Sequence, residues 1–268
     1  MVAEFDLDLT SGLVHAQRFG EPDAPLVIAV HGLSANMHGF DYLAPLLIAD
    51  GGRQLVAVDL RGRGGSESTV PGTYGLMSHA RDIFEAATVL GHDRFDWVGW
   101  SLGALIGIAA SRLDPGRIRR LGMIDHAGRS DESAVAAVVS GLDRLDLDVP
   151  TAEDYVAQVE AASKIRPFTD FWRRFYAYEF RRTSKAACLE DSLDVSGQNW
   201  PRSWRHLTMP VGLVRCRRPL NGGLVVPDDV AADIASAVPT ITVTDVDVDH
   251  FTVMTHTPAA EALRALLA

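Results

Sequence analysis

An α/β fold is predicted, built on a mostly parallel sheet with helices on both faces, and three observations predict it. Short continuous apolar runs such as Leu26–Val30 and Gln54–Asp59 read as strands buried on both faces. Helix-length segments separate those runs, as right-handed crossovers between parallel strands require. The run Phe95–Val98 leads into Gly99-Trp100-Ser101-Leu102-Gly103 and then an apolar helical stretch, a strand–turn–helix order that lifts a serine above the carboxyl edge of a sheet.

The elements follow in order. Glu4–Leu9 and Val14–Phe19 form an antiparallel pair around Thr10-Ser11-Gly12. Strands are expected next at Leu26–Val30, Gln54–Asp59, Phe95–Gly99 and Ile118–Asp125, with helices near Gly39–Ala49, Ser78–Leu90 and Leu102–Leu113. Residues 129–207 break the pattern: they hold no convincing buried strand, but helices near Glu132–Leu145, Ala152–Ser163, Phe168–Thr183 and Lys185–Leu193, punctuated by Pro150, Pro167 and Pro201. The sheet pattern resumes with Val211–Cys216, a helix near Asp228–Ala237, a strand at Ile241–Val246 and a last helix after Pro258. The expected organisation is a core domain of residues 1–128 and 208–268, with a helical cap or lid inserted at 129–207.

Composition narrows the function. In 268 residues, 47% hydrophobic and 22% charged, there is ample core for one soluble α/β domain. A net charge of −10 disfavours nucleic acid and anionic membrane as partners. Two distant cysteines, Cys188 and Cys216, imply neither a disulfide framework nor a cysteine-rich metal site. The start M-V-A-E-F-D-L-D-L-T lacks the apolar core of a secretory leader, and no run approaches membrane-spanning length, so the expected location is cytoplasmic. The expected partner is a small molecule, with the chain a monomer or homodimer and neither metal nor organic cofactor required.

The serine needs a base, and the base an orienting acid. His250, in D-V-D-H-F just past the strand Ile241–Val246, is the favoured base; His256 sits where a helix begins, and His79 and His92 read as solvated surface. The loop His31-Gly32-Leu33-Ser34-Ala35-Asn36 follows a strand and is placed to supply an oxyanion donor, the N–H of Leu33, with Leu102 after the nucleophile supplying the other. His31 is read as holding that loop, and Ser34 as a turn residue or a pocket contact. The acid is Asp125, which ends an apolar strand without structural reason to be charged, with Asp228 and Asp229 as reserves; the turn after Val211–Cys216 reads R-C-R-R-P-L-N-G-G and offers no carboxylate. The expected pocket comprises Trp100, Ser34, His126, Phe171, Trp172 and Phe251. Arg61 and Arg63 read as shaping a turn, with Asp59 and Arg61 as a possible ion pair.

G-W-S-L-G, the preceding H-G-L-S, D-L-R-G-R-G-G-S at 59–66 and the late D-H-F together resemble the α/β-hydrolase superfamily, and within it the capped serine hydrolases that include esterases, lactonases, C–C hydrolases and cofactor-free haloperoxidases. The resemblance covers essentially the whole chain and implies an eight-stranded sheet. It implies cleavage of a carboxylic ester or lactone by a Ser-His-Asp triad through an acyl-enzyme. C–C bond hydrolysis or perhydrolysis with the same triad, and a non-catalytic ligand-binding role, are the alternatives. The elbow serine argues against the related enzymes that use an aspartate nucleophile.

Overall fold

The computed structural model describes residues 2–268. A single sheet of eight strands runs in the order β1-β2-β4-β3-β5-β6-β7-β8. Its members are β1 (Val2–Leu9), β2 (Gly12–Phe19), β3 (Leu26–Val30), β4 (Gln54–Val58), β5 (Phe95–Trp100), β6 (Ile118–Ile124), β7 (Val211–Cys216) and β8 (Ile241–Val246). β1 and β2 pair antiparallel, and β2 pairs antiparallel with β4; every other neighbouring pair is parallel. The continuous apolar runs have the cause expected of them: every residue of β3, β4 and β5 is buried, covered on both faces.

Helices α1 (Leu43–Leu47), α2 (Leu76–Val89) and α3 (Leu102–Leu113) belong to the first half. The stretch 39–49 is thus less regular than a single helix, a 3-10 turn at Met37–Phe40 followed by one short α-helical turn. The α2–α3 pair packs one face of the sheet, with Leu105, Ile106 and Ile108 in its core. α1 and the last helix cover the other face, with Leu43, Leu47, Leu263 and Leu267 in the second core. At about 1.5–3 kcal/mol for each fully buried side chain of this kind, these two layers dominate the favourable side of folding.

Between β6 and β7 lie α4 (Glu132–Ser140), α5 (Ala152–Ala162), α6 (Asp170–Glu179), α7 (Lys185–Ser196) and the short α8 (Trp200–Trp204), which the sequence pattern did not signal. After β7 come α9 (Asp228–Ala237) and α10 (Thr257–Leu267). The ends of α5 and α7 carry cap bonds: Thr151 Oγ1 accepts from the Asp154 N–H at 3.1 Å and Ser184 Oγ from Ala187 at 3.3 Å. α6 buries Trp172, Phe175, Tyr176 and Glu179, the spacing of one helical face.

Candidate active site

The β5–α3 turn places Ser101 in a backbone conformation, φ 54° and ψ −116°, that non-glycine residues rarely adopt. Its flanking glycines are required by contact. A Cβ on Gly103 would stand 1.9 Å from the Val30 carbonyl oxygen, and one on Gly99 would stand 2.2 Å from the Gly103 oxygen. The close approach of α3 to the sheet holds the turn, and the turn holds the hydroxyl at the carboxyl edge.

Two further strand ends converge on it. Ser101 Oγ lies 3.1 Å from His250 Nε2, and His250 Nδ1 lies 2.9 Å from Asp125 Oδ2. An ionised carboxylate only accepts, so Nδ1 carries the proton and Nε2 is left to accept from the serine. The other Asp125 oxygen accepts the Cys216 N–H at 2.9 Å, and the Asp125 N–H donates to Val214 at 2.8 Å, so β7 clamps the acid from the next strand. Asp125 has φ 47°, a left-handed position that aspartate tolerates better than most residues. All three side chains are buried, 8% exposed or less. The His250 loop is tied in turn by the Trp100 indole N–H, 3.1 Å from the His250 carbonyl, and by Asp249, which accepts from the Phe251 and Thr252 N–H groups. Asp228 stands elsewhere: exposed at the start of α9, it pairs with Arg215 and Arg217, which hold its carboxyl down at about 2. Asp229 pairs with Arg129.

The Gly32–Leu33 peptide lies against Ser101, since a Cβ on Gly32 would meet Ser101 Cβ at 3.2 Å. His31 Nδ1 donates to the carbonyl of that peptide at 2.7 Å while Nε2 accepts the Leu60 N–H at 3.0 Å. In a trans peptide the N–H points opposite the C=O. Clamping the Gly32 oxygen therefore aims the Leu33 N–H away from the imidazole. Among the described residues neither the Leu33 nor the Leu102 N–H finds a protein acceptor. Burial with no exposed surface pulls the His31 imidazole down to about 3, so it stays neutral and keeps this tautomer.

The carbonyl of Leu33 is gripped as well, by Arg63 Nε at 3.0 Å and the Cys188 thiol at 3.3 Å. Arg63 is fully buried and pairs at 2.5 Å with Asp191 of α7, which also accepts from the Gly75 N–H and faces His79 Nε2 at 3.0 Å. The opposing guanidinium and imidazole hold the Asp191 carboxyl well below the usual range despite burial. His79 is thus buried, not solvated, because its partner arrives from a helix 112 residues later. Arg61 pairs not with Asp59 but with Asp82, at 2.5–2.7 Å. Asp59 instead accepts from the Met37 and Gly65 N–H groups and the Tyr178 hydroxyl.

A cavity of about 800 Å³ opens above Ser101 and His250, lined in part by Leu33, Ser34, Trp100, Phe175, Tyr176 and Phe251. Of the expected pocket residues, Trp100, Ser34 and Phe251 line it; His126, Phe171 and Trp172 do not. Trp172, 1% exposed, packs edge-on to Phe251 and Phe175 behind the wall. Phe171 lies on the flank of α6, stacked on Phe175 at 6.5 Å. His126, half-buried beside Asp125, has its imidazole pulled down to about 3, chiefly by desolvation. Phe175 and Tyr176 take the expected places, and α6 periodicity alone does not say which side of its aromatic face meets the cavity. Arg144 also lines the wall, and no motif signalled it. Among the described residues no cluster of three or more histidine, cysteine or carboxylate side chains is arranged to hold a metal, and no helix is long and apolar enough to cross a membrane.

Comparison with known proteins agrees with this architecture. The chain is 28% identical over 186 residues to a 3-hydroxybutyrate-oligomer hydrolase of Cupriavidus necator, covering 68% of this chain and 59% of that protein. It is 26% identical over 262 residues to the magnesium-chelatase 30 kDa subunit of Rhodobacter capsulatus, covering 92% and 87%. The chain spans 59% or less of the length of the first curated relatives it matches. Among solved structures it superposes on E-2-(acetamidomethylene)succinate hydrolase with a TM-score of 0.84 at 22% identity, covering 100% of this chain and 99% of that one. Hydrolases are thus among its relatives. The family profile described as alpha/beta hydrolase fold matches residues 25–185, more than half of the chain, and the protein belongs to the α/β-hydrolase fold family.

Proposed function

We propose that this chain is a serine hydrolase that cleaves a carboxylic ester or lactone through a covalent acyl-enzyme. The reading rests above all on the relay in which Ser101 Oγ, His250 and Asp125 follow one another at 3.1 and 2.9 Å beside two backbone N–H groups without protein acceptors. His250 Nε2 takes the serine proton as Oγ attacks the carbonyl carbon. Asp125 stabilises the imidazolium that forms, and the Leu33 and Leu102 N–H groups bind the oxyanion, aided by the positive end of α3. Collapse expels the alcohol, which takes the proton back from His250. Water then repeats the sequence on the acyl-enzyme and releases the acid. The helical segment 129–207 acts as the cap: α4 to α6 wall the cavity over Ser101, and a volume of about 800 Å³ suits a mid-sized organic ester.

A fluorophosphonate probe tests this directly. Ser101 of the folded protein is expected to be labelled at neutral pH, with labelling lost in Ser101→Ala and in denatured protein. An unlabelled native chain would overturn the acyl-enzyme reading in favour of a ligand-binding protein on a hydrolase fold.

A further inference from the structure

Among the hydroxyls of the cavity wall, that of Ser34 is backed by a guanidinium. Ser34 Oγ accepts a hydrogen bond from Arg144 Nη2 at 2.9 Å, which occupies its lone-pair side and leaves the O–H free to donate. Among the described residues that hydrogen has no protein acceptor, and Ser34 lines the cavity amid Leu33, Ala35, Leu147 and Phe175. The guanidinium behind it polarises the O–H, making it a stronger donor than an isolated serine. We propose that Ser34, backed by Arg144, is a substrate-binding subsite for a neutral carbonyl oxygen (a ketone, amide or second ester) carried by the acyl part of the substrate. This deepens the acyl-transfer reading and rests on it.

The charge around Ser34 decides between a neutral acceptor and a carboxylate. Arg144 is already matched: its Nε donates to Glu179 at 2.9 Å, its Nη2 donates to the other Glu179 oxygen, and Nη1 donates to the Gly141 carbonyl at 2.5 Å. The Glu179 side chain has no exposed surface and also accepts the Tyr155 hydroxyl at 2.5 Å, so both its oxygens face donors. The pair sums to zero charge. A carboxylate brought to Ser34 would lose its hydration and meet an arginine whose charge the Glu179 carboxylate already matches. A carbonyl oxygen carries no such cost. Position sets the reach: Ser34 follows Leu33, the proposed oxyanion donor, with Cα atoms ~3.8 Å apart. The second carbonyl therefore belongs a few bonds from the scissile one.

Nitrophenyl esters of 4-oxopentanoic and 5-oxohexanoic acids, compared with those of pentanoic and hexanoic acids and with the glutaric acid monoester, test this. The oxo esters are expected to show kcat/KM about tenfold above their hydrocarbon counterparts, the effect of one well-aligned donor. The carboxylate ester is expected to fall below both. Ser34→Ala should bring the oxo-to-hydrocarbon ratio to about one, and Ser34→Thr, which keeps the hydroxyl, should restore it. A purely structural role for Ser34 would lower both esters together and leave the ratio standing, which overturns the proposal. So does a ratio near one in the native chain, or a preference for the carboxylate. Binding of the same esters to Ser101→Ala, followed by tryptophan fluorescence, gives an independent readout. If no ester is cleaved by the native chain, the acyl-transfer reading falls alone. About tenfold tighter binding of the oxo ester, lost in the double variant with Ser34→Ala, would then uphold the subsite, and equal binding would refute it.

Discussion

His31 should make this protein acid-labile well above the carboxylate range, and replacing it should remove part of that lability. The imidazole is completely buried and held neutral down to about pH 3, whereas in the unfolded chain it takes a proton near its ordinary 6.5. The folded-state value is lowered, so the stability it contributes is complete above pH 6.5 and is lost as pH falls towards 3. Once the pH is below 6.5, the unfolded state alone binds the proton, and each pH unit costs about 1.4 kcal/mol. Because the unfolded imidazole is already half protonated at pH 6.5, the loss from His31 between pH 6.5 and 4.5 is about 2.3 kcal/mol, a large share of a typical domain's stability. His126 is pulled in the same direction and adds to the slope, while Asp59, raised by burial, opposes it. The comparison must therefore be between the native chain and His31→Gln, whose amide has a donor and an acceptor but no proton to bind. Urea unfolding of both at pH 6.5, 5.5 and 4.5 measures it. The variant starts less stable, but the native chain should lose about 2.3 kcal/mol more than the variant over that interval. Parallel pH dependences in the two would refute the picture of His31 as a buried neutral clamp.

Three substitutions test the rest of the network. Asp125→Asn should lower kcat by about 10⁴-fold, because an amide in place of the carboxylate no longer favours the productive tautomer of His250. Asp228→Asn, at an exposed ion pair outside the site, should leave kcat within about twofold; steady-state kinetics on one ester decides both, and the reverse pattern would move the acid to α9. Asp191→Asn leaves the buried Arg63 guanidinium without its countercharge and should cost about 3–5 kcal/mol, read as a fall in unfolding midpoint.

The fold was legible because buried parallel strands cannot hide: β3, β4 and β5 have no exposed side, and their sequences are unbroken apolar runs between helix-length segments. The placing of Ser101 and His250 together was legible because the elbow and the post-β8 loop are local patterns. Asp125 was legible for a subtler reason, a charge at the end of an apolar strand that nothing local explains. What escaped was everything set by contacts distant in sequence. His79 looked solvated on α2 because Asp191 comes from α7, and Arg61 was set beside Asp59 because Asp82, its partner in space, lies 21 residues along the chain. The roll of α6 about its axis is likewise fixed by packing on β-sheet loops, so periodicity showed an aromatic face without showing that Phe175 and Tyr176, not Phe171 and Trp172, meet the cavity.

The same distant contacts give the helical segment between β6 and β7 a second task. A cover for the cavity needs only apolar surface facing inward, and α5 and α6 present that. α7 does something else: Cys188 bonds the Leu33 carbonyl itself, and Asp191 neutralises the arginine that bonds it from the other side. Arg144, from the turn after α4, bonds the carbonyl of Ser34 one residue on. The loop after β3 is thus held at the Gly32 oxygen by its own His31, and at the next two carbonyls by side chains that belong to, or pair with, the helical segment between β6 and β7. An N–H aimed at a developing charge contributes only if it is held in place before the charge appears. Loosening the inserted segment should therefore disorganise the proposed oxyanion site as well as uncover the cavity, which couples the substrate-facing wall to the chemical step through two adjacent peptide groups.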